Sequence, residues 1–407
     1  MIAKDLNRIR ELAKRQLELS KSERNLKLYK DWEKHGKVDG TGRPMLTVEL
    51  GTFWGDIIPP QQICESPEGR SLEGRLLGNI ANFELFHDDT PVRGYLPVSV
   101  RYTMMPFGLP VIREESGGLG HHFVPQFEDL ETDFGKFGKS VLNKHEGDVE
   151  RETAFLQELV GDILPVRRTG AHFYFSPMGD VTRLMSMQNM FIAMCDEPEL
   201  FHRMMDMYTD DALALLEASE ADGIILPTTG DMPLTQGTFC FNDDLPSTGT
   251  ALKVDQVWGY LDSQETSGVS PEMFHEFVYP SYKRISERYG LLSYGCCEGV
   301  DPVWEKSVSQ FKNLRKISIS PWCNEEYMGQ ALQDRKVVYL RKPSPNYIGV
   351  DRYLDEDAVR AAMKKTVAAA KGLTLEFSQR DVYTVHKDVS KVRRYVELIR
   401  EACEGKQ

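Results

Sequence analysis

From residue 45 onward, short runs of aliphatic and β-branched residues alternate with longer segments in which apolar positions return every three or four residues. The short runs are MLTVEL (45–50), YLPVSV (95–100), AHFYFS (171–176), GIILP (223–227), QVWGYL (256–261), LLSYG (291–295), KISIS (316–320), VVYLR (337–341) and LTLEF (373–377). They are too short for helices and suit a pleated, half-buried surface, so they predict strands. The longer segments predict helices at 198–220, behind an acidic first turn, and at 355–372, with Gly372 as the C-cap. In 270–290, Ser270 is placed to cap the helix, Pro271 to open it, Pro280 to kink it and Gly290 to close it. Residues 1–35 space Leu6, Ile9, Leu12 and Leu17 at helical intervals amid mixed charge, which predicts an amphipathic extension over 1–44 ahead of a domain spanning 45–407. Strands alternating with helices, with no G-x-G-x-x-G after the first strand, predict a (β/α)8 TIM barrel. Nine strand candidates for eight places leave one to be misplaced or to belong to an insertion. The turn-rich stretches 228–250 and ESGGLGHHF (115–123) predict long loops or a lid.

Composition narrows this picture. A chain of 407 residues with 41% hydrophobic and 27% charged positions can bury a large core and carries no disorder signature. A net charge of −13 and a pI near 5.3 argue against nucleic acid as a partner. No apolar run approaches the roughly 20 residues of a membrane span. The seven cysteines are odd in number and scattered, and the charged start MIAKDLNRIRELAKRQ lacks the apolar core of a signal peptide, so a reducing cytoplasm is expected.

In a barrel, functional groups stand at the C-terminal ends of the strands. Those positions read Glu49; Asp262, Gln264 and Glu265; Cys296, Cys297 and Glu298; Trp322 and Cys323; Lys342; and Arg380 with Asp381. The adjacent cysteines are open to three readings, as small core residues, reactive thiols or metal ligands. With Cys323 from the next strand end and a carboxylate, they would suit zinc with an open position. Asp262, Glu265 and Glu298 are candidates for acid–base work or for capping and salt bridging, and His121 and His122 could reach the barrel mouth as acids, bases or ligands. Asp88, Asp89 and Arg93 form a polar knot before the second strand.

The stretch QVWGYLDSQETSGVSPEMFHEFVYPSYKRI (256–285), with CDEPELFHRMMDMYTDDALALLEASEADGI (195–224) before it, resembles the uroporphyrinogen decarboxylase superfamily from about residue 45 to the end. The resemblance implies a TIM barrel. The segment VELGTFWGD (48–56), which includes Trp54, stands where true uroporphyrinogen decarboxylases carry R-Q-A-G-R, and it has no arginine. The chain is therefore more similar to the corrinoid-dependent methyltransferase branch, whose zinc-binding H-x-C motif is matched here by Tyr294-Gly295-Cys296, without the histidine. That branch implies methyl transfer between a small O- or N-methylated compound, methoxylated aromatics included, and a corrinoid held by a separate protein, since no D-x-H-x-x-G signature occurs in this chain. Zinc is the implied metal, with Cys296, Cys297 and Cys323 as ligands and Glu265, Glu298 and Asp262 as catalytic groups. Glu49, Trp54, His121, His122, Gln264, Trp322, Lys342, Arg380 and Asp381 would contact substrate. The alternatives are a carboxy-lyase that uses Asp262 with Lys342 or Arg380 to grip a carboxylate, and a binding barrel without catalysis; a homodimer is left open.

Overall fold

The computed structural model describes residues 2–100, 102–115 and 120–405. Seven parallel strands form its central sheet: β1 (Met45–Val48), β2 (Phe173–Phe175), β3 (Trp258–Leu261), β4 (Leu291–Tyr294), β5 (Leu314–Ile319), β6 (Val338–Arg341) and β7 (Leu375–Gln379). Their spatial order is β1-β7-β6-β5-β4-β3-β2. Successive neighbours are joined through helical crossovers, as parallel strands require.

Two of the nine expected strands fall elsewhere. Leu96–Ser99 pairs in parallel with Val166–Thr169, outside the main sheet, and GIILP (223–227) forms no ladder. The reason for the first lies at the outer edge of β1. Asp89 accepts from the Leu46 N–H at 2.9 Å and Asp88 from the Val48 N–H at 2.8 Å, while the Asp89 N–H donates to the Leu46 carbonyl at 2.8 Å. These groups occupy the bonds an eighth strand would make, so the ladder stops there. Asp89 is held in turn by Arg43 at 2.9 and 3.0 Å and by Arg400 at 3.0 Å. The polar knot is thus structural, and Arg93 donates away from it, to the Asp231 carbonyl.

The region 228–250, expected as a loop or lid, contains an antiparallel hairpin, Gly230–Leu234 with Thr238–Cys240. Its turn meets strands from both ends of the sheet: Thr47 of β1 donates to the Gly237 carbonyl at 2.5 Å, and His172, just before β2, lies 2.5 Å from Thr235. The sheet therefore curls around the hairpin. Below the turn, the buried Lys316 of β5 binds Thr238 Oγ1 at 2.5 Å, the Phe239 carbonyl at 2.9 Å and Glu376 of β7 at 3.0 Å. Met232, Leu234 and Cys240 pack on Trp258, Tyr260 and Leu291. Gly237, at φ +75°, has no room for a side chain, because a Cβ there would lie 2.3 Å from Ser378 Oγ.

The extension forms α1 (Ala3–Ser20) and α2 (Glu23–Gly36). Ile9, Leu12 and Ala13 of α1 are buried, and Trp32 of α2 stacks on Phe241 at the hairpin base. Helix Pro198–Ala221 matches expectation, as does Glu356–Ala369, although Gly372, at φ +85°, stands beyond the cap residue Ala370. Ser270 caps its helix by accepting from the Met273 N–H. Before Pro280, which has no N–H to donate, the helix widens to a π-turn at Phe274–Val278 and resumes over Tyr279–Ser286. Gly290 does not close it; a Cβ there would strike the Asp255 carbonyl at 2.5 Å. No helix among the described residues is long and apolar enough to cross a membrane.

Candidate active site

At the C-terminal ends of β3, β4, β6 and β7 the chain gathers thiols, carboxylates and cations. β4 ends at Tyr294, and Gly295 at φ +97° turns the backbone so that the following residues escape the alternation of a strand. Both cysteines can then face one side, and their sulfurs stand 3.5 Å apart. Glu298 holds this turn to the neighbouring strand end, accepting from the Cys296 N–H at 2.7 Å and the Ser263 N–H at 3.0 Å. Each Glu298 oxygen thus accepts from one backbone donor, and the pair of bonds fixes the turn that carries the cysteines. Burial, with Asp262 adding to it, raises the pKa of Glu298.

Cations flank the cysteines. Lys342 is buried and donates to the Cys296 carbonyl at 2.9 Å and to Gln236 Oε1 at 2.5 Å, and burial lowers its pKa. Arg380 binds Glu49 at 2.9 Å, contacts Gln236 Oε1 and reaches Cys296 Sγ at 3.8 Å. The Cys297 thiol lies 3.3 Å from Asp381 Oδ2. Hydrogen bonding from Cys297 lowers the pKa of Cys296, with Lys342 assisting, and the same contact together with burial raises that of Cys297. One thiol is thereby biased toward thiolate and its neighbour toward thiol.

Asp262, at the end of β3, receives Tyr260 at 3.1 Å and Tyr174 at 3.2 Å, both phenols being kept protonated by burial and then by this carboxylate. Beyond Tyr174, at the free edge of β2, lies a cavity of about 400 Å³ walled by Tyr102, Met104, Phe173, Tyr174, Asp180 and Tyr208 among others. Asp180 is bound by Tyr208 at 2.6 Å and Arg183 at 2.8 Å, and burial raises its pKa. Next to Asp180, Gly179 leaves room for Glu265: a Cβ there would approach Glu265 Oε1 to 3.1 Å. Glu265 Oε2 is buried without a hydrogen-bond partner, and burial raises the pKa of this carboxyl group.

Several expected site residues stand apart. Cys323 is not drawn to the other thiols; its sulfur accepts from the Val300 N–H at 3.4 Å and lies 3.6 Å from Ser320 Oγ. No three His, Cys, Asp or Glu side chains converge as a cation site among the described residues, so the three-cysteine zinc set does not fit this geometry. Trp54 instead wedges against the helix Pro67–Ala81, where a Cβ on Gly78 would come within 2.6 Å of its ring. His121 and His122 lie exposed on a hairpin, His121 against Phe123 and His122 4.0 Å from Glu114, because this ladder carries them outward; residues 116–119 of that stretch lie outside the described residues. Gln264 is exposed on a single 3-10 turn beside Glu265. Trp322 is 80% exposed. The residues of these clusters that the sequence did not single out are Gln236, Tyr174, Tyr260, Asp180 and Tyr208. Gln236 had a faint signal in the turn-forming Thr-Gln-Gly triplet, where it adopts φ +78°.

No family model matches the chain, and no curated protein does either. Among solved structures it is similar to a methyltransferase from Methanosarcina mazei, at 12% identity over 89% of this chain and 94% of that one, with a TM-score of 0.48. It is also similar to a protein described as a vitamin-B12 independent methionine synthase from Listeria monocytogenes, at 14% identity over 62% of this chain and 68% of that one, with a TM-score of 0.32. Likeness this distant carries no argument about activity.

Proposed function

We propose that the chain is a methyltransferase on a uroporphyrinogen-decarboxylase-like (β/α)8 barrel, moving a methyl group between a small O- or N-methylated compound and a corrinoid on a separate protein. The observation that carries this reading is Glu265, a carboxyl group kept toward its protonated form by burial, with one buried oxygen unpartnered, packed on Gly179, the residue before Asp180 of the aromatic-walled cavity. Removing a methyl group from oxygen leaves an alkoxide or phenoxide, a poor leaving group unless an acid protonates it. Glu265 would supply that proton, and the Tyr174–Asp262–Tyr260 chain would orient the departing oxygen. An N-methylated substrate would bring its own positive charge, which Asp262 and Asp180 would face. The corrinoid, when its carrier is docked, supplies the nucleophile that takes the methyl group. Trp322, Tyr353 and Tyr383, exposed by 80%, 86% and 59%, follow β5, β6 and β7 in the chain and would offer such a carrier apolar surface. The two cations that the carboxy-lyase alternative would use are engaged elsewhere among the described residues: Arg380 is paired with Glu49, and Lys342 is buried on oxygens of its own chain.

The test mixes the purified chain with a reduced corrinoid protein and a panel of methylated compounds. The corrinoid's visible spectrum is expected to change only when chain and donor are both present. Glu265→Gln should slow O-demethylation about 10²- to 10⁴-fold, the range for a lost general acid. No spectral change with any donor, together with carbon dioxide release from a carboxylated compound, would move the assignment to a carboxy-lyase.

A further inference from the structure

We propose that Cys296 and Cys297 form a dithiol site for a neutral trivalent arsenical, arsenous acid or a monosubstituted organic form of it, bound by both sulfurs at once. The cysteine pair plays no part in the proton transfer described above, and the turn at Gly295 and Glu298 presents the two sulfurs side by side, 3.5 Å apart. That spacing is too short for a linear two-coordinate cation, whose sulfurs would stand about 4.6 Å apart for metal–sulfur bonds of about 2.3 Å. It suits a bent centre that bonds both sulfurs on one side.

The surroundings select against a metal ion and for an uncharged electrophile. Arg380, paired with Glu49, lies 3.8 Å from Cys296 Sγ, and Lys342 sits on the Cys296 carbonyl, so a divalent cation at the two sulfurs would have two cationic side chains as neighbours, with Asp381 beside Cys297. An arsenical hydroxide arrives uncharged, and those same cations favour the Cys296 thiolate that attacks it. Cys297 is only half-buried, which leaves a way in. In the reaction two As–O bonds break and two As–S bonds form. The two thiol protons leave with the two hydroxyls as water, and no oxidation state changes.

The probe is phenylarsine oxide, added to the full chain after removal of other thiols. Intact mass should show one adduct per chain and thiol titration a loss of two thiols, with peptide mapping placing the adduct on the segment that holds Cys296 and Cys297. The adduct should survive a monothiol wash and be stripped by a small dithiol. Cys296→Ser and Cys297→Ser should each weaken retention about 100-fold or more, as expected when a second bond is no longer intramolecular. Cys323→Ser should leave it unchanged, with circular dichroism reporting the fold of each variant. Retention equal to the parent chain in either single variant, or mapping of the wild-type adduct to any other cysteine, would overturn the proposal.

Discussion

Lys316→Met should be among the most destabilising single changes in this molecule. Lys316 and Glu376 face each other at 3.0 Å inside the sheet, their side chains 3% and 0% exposed, and Lys316 also ties down Thr238 and the Phe239 carbonyl. Its ammonium stands 6.0 Å from the rings of both Trp32 and Trp258. Removing it strands the Glu376 carboxylate, one oxygen of which already has no partner. Breaking a buried pair from one side costs about 3–5 kcal/mol, against a total stability of about 5–15 kcal/mol. Removing both charges is a different perturbation: Lys316→Met with Glu376→Leu leaves no orphaned ion, so the double variant should recover to within about 1–2 kcal/mol of the parent. Urea unfolding followed by tryptophan fluorescence measures this through the midpoint at constant slope. A loss below about 1 kcal/mol for the single variant would mean that water reaches the pair. A double variant no better than the single would mean that the bonds to the hairpin, and not the ion pair, hold this region together.

Three further outcomes follow from the geometry. Glu298→Gln replaces one acceptor with an N–H donor that faces a backbone N–H, and should cost about 2 kcal/mol, the worth of a hydrogen bond to a charged group, while raising the reactivity of Cys296 toward iodoacetamide by loosening its turn. His35 is buried on the Leu375 carbonyl with its pKa pushed down to about 4, so its contribution is present above the ordinary value near 6.5 and is lost as pH falls through 4. The stability difference between the parent and His35→Gln should therefore shrink by about 3 kcal/mol between pH 7 and pH 4, read from urea midpoints, and a difference independent of pH would show His35 to be solvated. Gly78→Ala should force Trp54 off its helix at a cost of about 1–3 kcal/mol, the range for overpacking, and leave methyl transfer unaffected if Trp54 has no part in the site.

What could be read from the chain before its fold was known follows from how local the relevant signals are. Seven of the nine short apolar runs became strands of one parallel sheet, because a buried strand announces itself in four or five consecutive residues. The strand ends were legible for the same reason: Cys296, Cys297, Lys342 and Arg380 stand together there, and Asp262 stands at the end of β3 with Tyr174 and Tyr260. Trp54, His121 and His122 did not, since nothing local distinguishes a tryptophan that wedges two helices apart or a histidine on an exposed hairpin from one that lines a site.

The hairpin at 230–240 shows what local patterns omit. Its residues look like a loop because they are turn-rich, yet they fill the space the strands curl around, and the strands themselves call for such a filling. KISIS and LEFSQ place Lys316, Ser318, Glu376 and Ser378 at alternate, fully buried positions where a barrel interior would ordinarily be apolar. Four buried polar groups on one face demand partners, and an inserted segment provides those of two of them: Thr238 and Phe239 for Lys316, and the Gln236 carbonyl for Ser378, while Glu376 binds Lys316 and Ser318 donates to the Cys296 carbonyl. The insertion carries Gln236 to the top of the sheet, where its amide oxygen meets both Lys342 and Arg380 beside Cys296. The residues that hold the hairpin in place therefore also set the charge around the thiol pair, and loosening the Lys316–Glu376 pair should be felt as altered Cys296 reactivity at the far end of the same hairpin.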